Sequence, residues 1–175
     1  MIYISKDAYG QMLTHAQRKL RGDFQPPETP ERKAFGLLGG HVEEDRVNVV
    51  DLVALLRNRR TDEAYRPTLD PLIDQLAVPS ETPADRRGWV ADATELLTAQ
   101  RRWERMGVGL IGSYHTHRVP WNTDPSRDTC TELDRALSKH TGLWVFIVSM
   151  VNPARPIIRA FFEADNEHEA EVVVA

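Results

Sequence analysis

His115 and His117 are separated only by Thr116, at the end of an apolar run that begins at Val108. Alternate residues of a strand project to the same side, so both imidazoles can reach one point in space. Eleven residues past His117 comes Asp128, across a loop of Pro, Asn and Thr. Two imidazoles and a carboxylate are what an open zinc site uses: three protein ligands, with the fourth position left to water. Zinc held in this way brings the pKa of that water toward neutrality and polarises a carbonyl. A nearby carboxylate is then needed to take the water's proton and pass it to a leaving amine. Asp124 and Asp134 are the alternative third ligands if Asp128 points away. A lone His-x-His is also what two polar residues at a strand end look like, a reading that implies no chemistry.

The elements that must position these groups follow from the patterning. Val108 to His117 reads as a buried strand, and Ser126 as the N-cap of a helix running to about Lys139, with Leu133, Ala136 and Leu137 on its apolar face. Residues 142–151 form the most continuous apolar strand of the chain, expected to be central and covered on both faces. Residues 156–162 return as another strand. Upstream, Ile2–Ile4 is a short strand. Ser5 caps a helix over 6–20, with Tyr9, Met12, Leu13, Ala16 and Leu20 at helical spacing. Two strands flank a turn at Glu44-Asp45, and a helix ends at Met106 with Arg101, Arg102 and Arg105 near its favourable C-terminus. Residues 57–87 carry repeated prolines and read as an insertion with one short helix through Leu69, Leu72, Ile73 and Leu76. From about residue 163 the chain is acidic, ending in Val-Val-Val-Ala as an edge strand or a tail. About six strands and two main helices give an α/β or α+β fold, a mixed sheet flanked by helices.

At this point the chain resembles the JAB/MPN metalloprotease family, whose metal signature (JAMM) runs from a glutamate to His-x-His, a loop, and Ser-x-x-Asp. Tyr114-His-Thr-His117 and Pro125-Ser126-Arg127-Asp128 stand where that signature falls, and Gly36-Leu-Leu-Gly-Gly40 resembles the family's glycine-leucine phrase beside the metal. The resemblance covers roughly residues 1–162. It implies a three-layer fold, zinc on His115, His117 and Asp128, and Ser126 as a donor to the developing oxyanion. It also implies a catalytic glutamate three residues before the first glycine of the phrase. That position holds Lys33. Glu31, two residues earlier, is the nearest carboxylate and is nominated as the base; Glu28 is a more distant candidate. Ser126 lies one residue closer to Asp128 than the family spacing. The substrate implied is a ubiquitin-like protein or a small carrier protein joined through its C-terminus. The rival reading, which Lys33 supports, is a catalytically inactive MPN-like module that binds a protein partner. A third, an unrelated zinc hydrolase, would make the glycine phrase a coincidence.

The 175 residues suit a single domain, 1–175, with the insertion and the tail set aside. A net charge of −4 offers no footprint for nucleic acid, and no apolar run approaches a membrane span. The N-terminus lacks the basic and apolar regions of a signal peptide. Cys130 is the one cysteine, so no intrachain disulfide forms; it reads as a small packed residue. Together these point to the cytoplasm. His41 and His140 read as surface residues, and Trp121 as a wall of the substrate groove or a cap over the core.

Overall fold

The computed structural model describes residues 1–78, 82–118 and 128–175. Helix α1 (Lys6–Arg21) follows strand β1 (Ile2–Ile4) and is bounded as its sequence predicts. The Ser5 hydroxyl accepts from the Ala8 amide at 3.2 Å, and Gly22 closes the helix in the left-handed conformation. Strands β2 (Phe35–Glu43) and β3 (Arg46–Ala54) form the expected hairpin. In the insertion lie α2 (Arg66–Leu76) and a single 3-10 turn (Ala84–Arg86). Pro67 sits in the first turn of α2, where no amide partner is lost, and Ile73 is the helix's buried residue. Helix α3 (Ala93–Met106) is capped by Asp92 and ended by Gly107. Strand β4 (Gly109–His117), helix α4 (Glu132–Ser138) and strands β5 (Trp144–Ser149), β6 (Ile157–Phe162), β7 (Glu169–Ala170) and β8 (Val172–Val174) complete the chain.

The fold is α+β, with a mixed sheet in the order β7-β6-β5-β4-β2-β3-β1-β8. Strand β4 lies at its middle, antiparallel to β2 and parallel to β5. The terminal residues are not a loose tail: β8 pairs in parallel with β1. Strand β8 also comes against β6, so the ends of the sheet approach each other. This curl brings the sheet toward a partly closed barrel rather than a flat three-layer sandwich. No helix of the described residues is long and apolar enough to cross a membrane.

The two faces of the sheet are filled differently. Met12 and Ala16 of α1 pack with Ile4, Leu38, Val49 and Tyr114 in the largest core. On the opposite face Phe35, Leu37 and Leu55 pack with Ala99 and Trp103 of α3, and Val145, Ile147 and Phe161 pack with Cys130. Residues 145–149 are therefore buried on both faces, as their continuous apolar pattern implies. The glycine phrase serves this packing. A Cβ on Gly36 would collide with the Tyr114 ring and the Val53 carbonyl, and one on Gly39 with the Trp103 indole. The close neighbours at these two glycines are the chain's own aromatics.

Candidate metal centre

Strand β4 carries the site, and a bulge prepares it. Leu38 faces Gly112 while Gly39 faces Leu110, leaving Ile111 as an extra residue. Past the bulge the alternation is reset. Ile111 and Tyr114 join the core on the α1 side. Leu110, Ser113, His115 and His117 line a cavity of about 1100 Å³ on the other side. The insertion and α4 share its walls, through Arg60, Leu69, Thr82, Leu133, Asp134 and Leu137 among others. Helix α2 packs against α4, so the insertion helps to enclose the site.

Within this cavity the Nε2 atoms of His115 and His117 lie 3.1 Å apart. Asp134 completes the group, with Oδ1 3.2 Å from His115 Nε2 and Oδ2 3.6 Å from His117 Nε2. These distances, the two from Asp134 made by different oxygens, lie near what a tetrahedral metal needs: bonds of about 2.0–2.1 Å to nitrogen and oxygen put neighbouring ligand atoms about 3.3–3.4 Å apart. Among the described residues this is the one group of three or more His, Cys, Asp or Glu side chains placed to hold a metal ion. Burial disfavours the Asp134 carboxylate, yet the two imidazoles outweigh it and hold its pKa well below the ordinary carboxylate value. His117 Nδ1 is buried and has no hydrogen-bond partner among the described residues.

The carboxylate that joins the histidines is therefore Asp134, not Asp128. Asp128 Oδ1 accepts from Arg159 Nη1 at 2.8 Å, and the same guanidinium holds Glu169 through two further bonds. The reason lies in where the helix begins. Helix α4 starts at Glu132, not near Ser126, because Thr131 caps it. The Thr131 hydroxyl accepts from the Asp134 amide at 3.1 Å, while the Thr131 amide and hydroxyl donate to Asp134 Oδ2 at 2.7 and 2.8 Å. This capping box aims one face of the carboxylate at the imidazoles. Its sequence signal, Thr131-Glu-Leu-Asp134, has the Ser-x-x-Asp spacing with threonine in the serine's place. Ser126, Asp124 and Trp121 lie outside the described residues.

Glu31 lines the same cavity. Its carboxylate accepts from Asn58 Nδ2 at 3.0 and 3.3 Å and pairs with Lys33 Nζ at 3.3 Å. Phe35 pairs with His115, and Thr116 donates to the Ala34 carbonyl at 3.0 Å. Continuing this register sets Lys33 opposite His117. The Lys33 ammonium also donates to the carbonyls of Gly88 and Arg86. Burial lowers its pKa; Glu31 opposes this, and the charges of Arg118 and Arg60 add to it. Glu28 belongs elsewhere. It is buried beside α1, where Arg18 grips it through both terminal nitrogens. Cys130 is packed with Val145 and Ile147, and burial pushes its thiol pKa up, which disfavours the nucleophilic thiolate.

No protein-family model matches the chain, and no curated protein does. Solved structures do. A structural-genomics protein from Desulfitobacterium hafniense, determined in solution, is 22% identical with a TM-score of 0.61, over 100% of this chain and 93% of that one. A protein from Salinibacter ruber, also determined in solution, is 19% identical with a TM-score of 0.53, over 99% and 91%. These two share the fold. A JAB1/MPN domain protein from Archaeoglobus fulgidus also aligns, at 14% identity and a TM-score of 0.48 over 98% and 97%, a likeness too slight to argue from.

Proposed function

We propose that this chain is a zinc-dependent peptidase or isopeptidase of the JAB/MPN kind, a single cytoplasmic domain acting on the C-terminus of a ubiquitin-like or small carrier protein. The observation that carries the reading is the convergence of His115 Nε2, His117 Nε2 and the Asp134 carboxylate inside the large cavity. The Gly36 phrase and the Thr131-x-x-Asp134 spacing support the family; the two imidazoles and one carboxylate suit zinc.

His115, His117 and Asp134 would hold the ion, and Thr131 fixes the direction of the Asp134 carboxylate. When bound, zinc supplies an acidified water and a Lewis acid for the scissile carbonyl. Glu31 is the residue that takes the water's proton and returns it to the departing amine, with Asn58 and Lys33 orienting its carboxylate. Such proton transfer contributes about a hundred- to ten-thousand-fold. The oxyanion donor implied by the resemblance is Ser126, although it lies one residue closer to Asp128 than the family spacing.

A second reading rests on Lys33. The register of Phe35 with His115, continued, sets the Lys33 backbone opposite His117, where the family has its glutamate, and the Lys33 ammonium pairs with Glu31, the carboxylate nominated to replace it. This favours a metal-binding module that docks a partner without cutting it. Zinc analysis of the purified protein, followed by cleavage of an isopeptide-linked ubiquitin-like substrate, decides between the two. About one zinc per chain with cleavage that Glu31→Gln abolishes supports the enzyme. Stoichiometric zinc with no cleavage supports the module, and no zinc removes both.

A further inference from the structure

The cavity is cationic although the chain carries a net charge of −4. Its walls present Arg32, Lys33, Arg60, Arg86, Arg87 and Arg118, set against Glu31, Asp85 and Asp134. Two of the cations are matched: Lys33 pairs with Glu31 at 3.3 Å and the buried Arg60 with Asp70 at 2.5 Å. Arg118 and Arg86 have no carboxylate partner among the described residues. Arg118 directly follows His117 and donates to the neutral hydroxyl of Thr82 at 3.0 Å. Both side chains belong to exposed residues on the cavity wall.

These groups converge on one segment of the insertion: Arg118 reaches Thr82, just ahead of the 3-10 turn that carries Arg86. Lys33 bonds to the backbone at Arg86 and Gly88, which ties the lead-in to β2 to the 3-10 turn of the insertion. Arg118 and Arg60 both lie near enough to Lys33 to disfavour its charge. Two guanidiniums without a carboxylate partner at the edge of the cavity, with further positive charge behind them, form a place where a carboxylate gains charge-assisted, bidentate hydrogen bonds. A neutral amide carbonyl gains a weaker hydrogen bond there, and a protonated amine is repelled.

We infer that this edge of the cavity, at Arg118 and Arg86, binds a carboxylate of the peptide substrate close to the scissile bond. As a statement about substrate it rests on the peptidase reading above; as a statement about binding it does not. The carboxylate could be the peptide's own C-terminus or an acidic side chain, and the test separates them.

Three N-terminally labelled peptides of one apolar sequence are titrated into the zinc-loaded full chain at low salt, with binding read by fluorescence polarisation. One ends in a free carboxylate, one in an amide, and one in an amide with a single internal Glu. One of the two carboxylate peptides is expected to bind about tenfold or more tightly than the plain amide, and which one does so identifies the source. The preference should fall several-fold in Arg118→Gln and in Arg86→Gln at unchanged zinc content. Equal binding of all three peptides overturns the inference. So does a preference that survives in both variants, which would place the carboxylate on the metal alone. Because binding is read without turnover, a carboxylate preference without cleavage sinks only the peptidase reading. Cleavage without the preference sinks only this one.

Discussion

Tyr114 and His115 are neighbours on β4 and face opposite environments. The Tyr114 side is sealed. Its hydroxyl lies 2.7 Å from His15 Nδ1, its ring lies across Gly36, and the residue is wholly buried. With the hydroxyl donating to Nδ1, the His15 hydrogen sits on Nε2 and faces Glu28 Oε1 at 3.7 Å. On the His115 side two imidazole nitrogens face each other at 3.1 Å beside a carboxylate, and the group opens on a cavity. Two facing nitrogens satisfy each other only if they share a proton, whereas a cation between them satisfies both and the aspartate as well. The two sides of one strand thus meet buried histidine differently: His15 of α1 is held through Nδ1 by the Tyr114 hydroxyl, while its Nε2 has no hydrogen-bond partner among the described residues, and the His115–His117 pair on the strand itself finds its match in a cation.

The contrast breaks most visibly if a histidine is removed from either side. His117→Ala is expected to abolish stoichiometric zinc and with it any peptidase activity, with little change in folding. His15→Ala is expected to leave zinc content untouched while lowering stability. Metal analysis and urea unfolding of both variants read the difference. Zinc retained in full by His117→Ala would remove the metal centre.

Tyr114→Ala comes next. Truncating a fully buried aromatic costs about 3–5 kcal/mol, and this one also strands His15 Nδ1. Tyr114→Phe keeps the ring and loses only the hydroxyl, at about 1–3 kcal/mol. A Tyr114→Phe that unfolds as readily as Tyr114→Ala would mean that the hydrogen bond, not the ring, holds the face together.

The sealed face also sets an acid limit. Burial lowers the His15 pKa to about 4; Glu28 opposes this, and Arg18 and Lys19 add to it. The unfolded chain, with an ordinary histidine near 6.5, binds the proton first. Stability is therefore complete above pH 6.5 and is lost as pH falls from 6.5 toward 4, by on the order of 3 kcal/mol. Burial would push the Glu28 carboxyl up, but Arg18 and the Gln25 amide hold it down to about 2. Its contribution is lost at lower pH, between 4.5 and 2. Urea midpoints across pH 4–7 should slope upward in the wild type and flatten in His15→Gln. An unchanged slope would assign the acid sensitivity to other groups.

The histidine pair, the α1 caps and the doubly buried β5 were legible because each depends on residues a few positions apart. Asp134 was legible only in part. The choice between three aspartates turns on where α4 starts, and the cap that sets the start is Thr131, whose hydroxyl and amide both reach Asp134. The Thr-x-x-Asp pattern announced this locally, but the loop before it had placed Ser126 in the serine's role at nearly the family spacing. The bulge at Ile111 left no local mark. It follows from register against β2, and it decides that Leu110 rather than Ile111 faces the cavity. The parallel pairing of β8 with β1 joins the two ends of the chain, a contact that no pattern within either strand encodes.

The finest test of the open face leaves the metal ligands in place and alters what aims them. Thr131→Val keeps the β-branched shape of the cap and removes its hydroxyl. Asp134 Oδ2 then loses one of two donors, and the Asp134 amide loses its acceptor. The helix loses about 1 kcal/mol of capping. A ligand deprived of its orienting partner typically weakens metal binding by about 10–100-fold, which competition with a chromophoric chelator measures. Thr131→Ser retains the hydroxyl and should restore the affinity. If Thr131→Val binds zinc as tightly as the wild type, the capping box serves only the helix. The Asp134 carboxylate would then owe its direction to the imidazoles themselves.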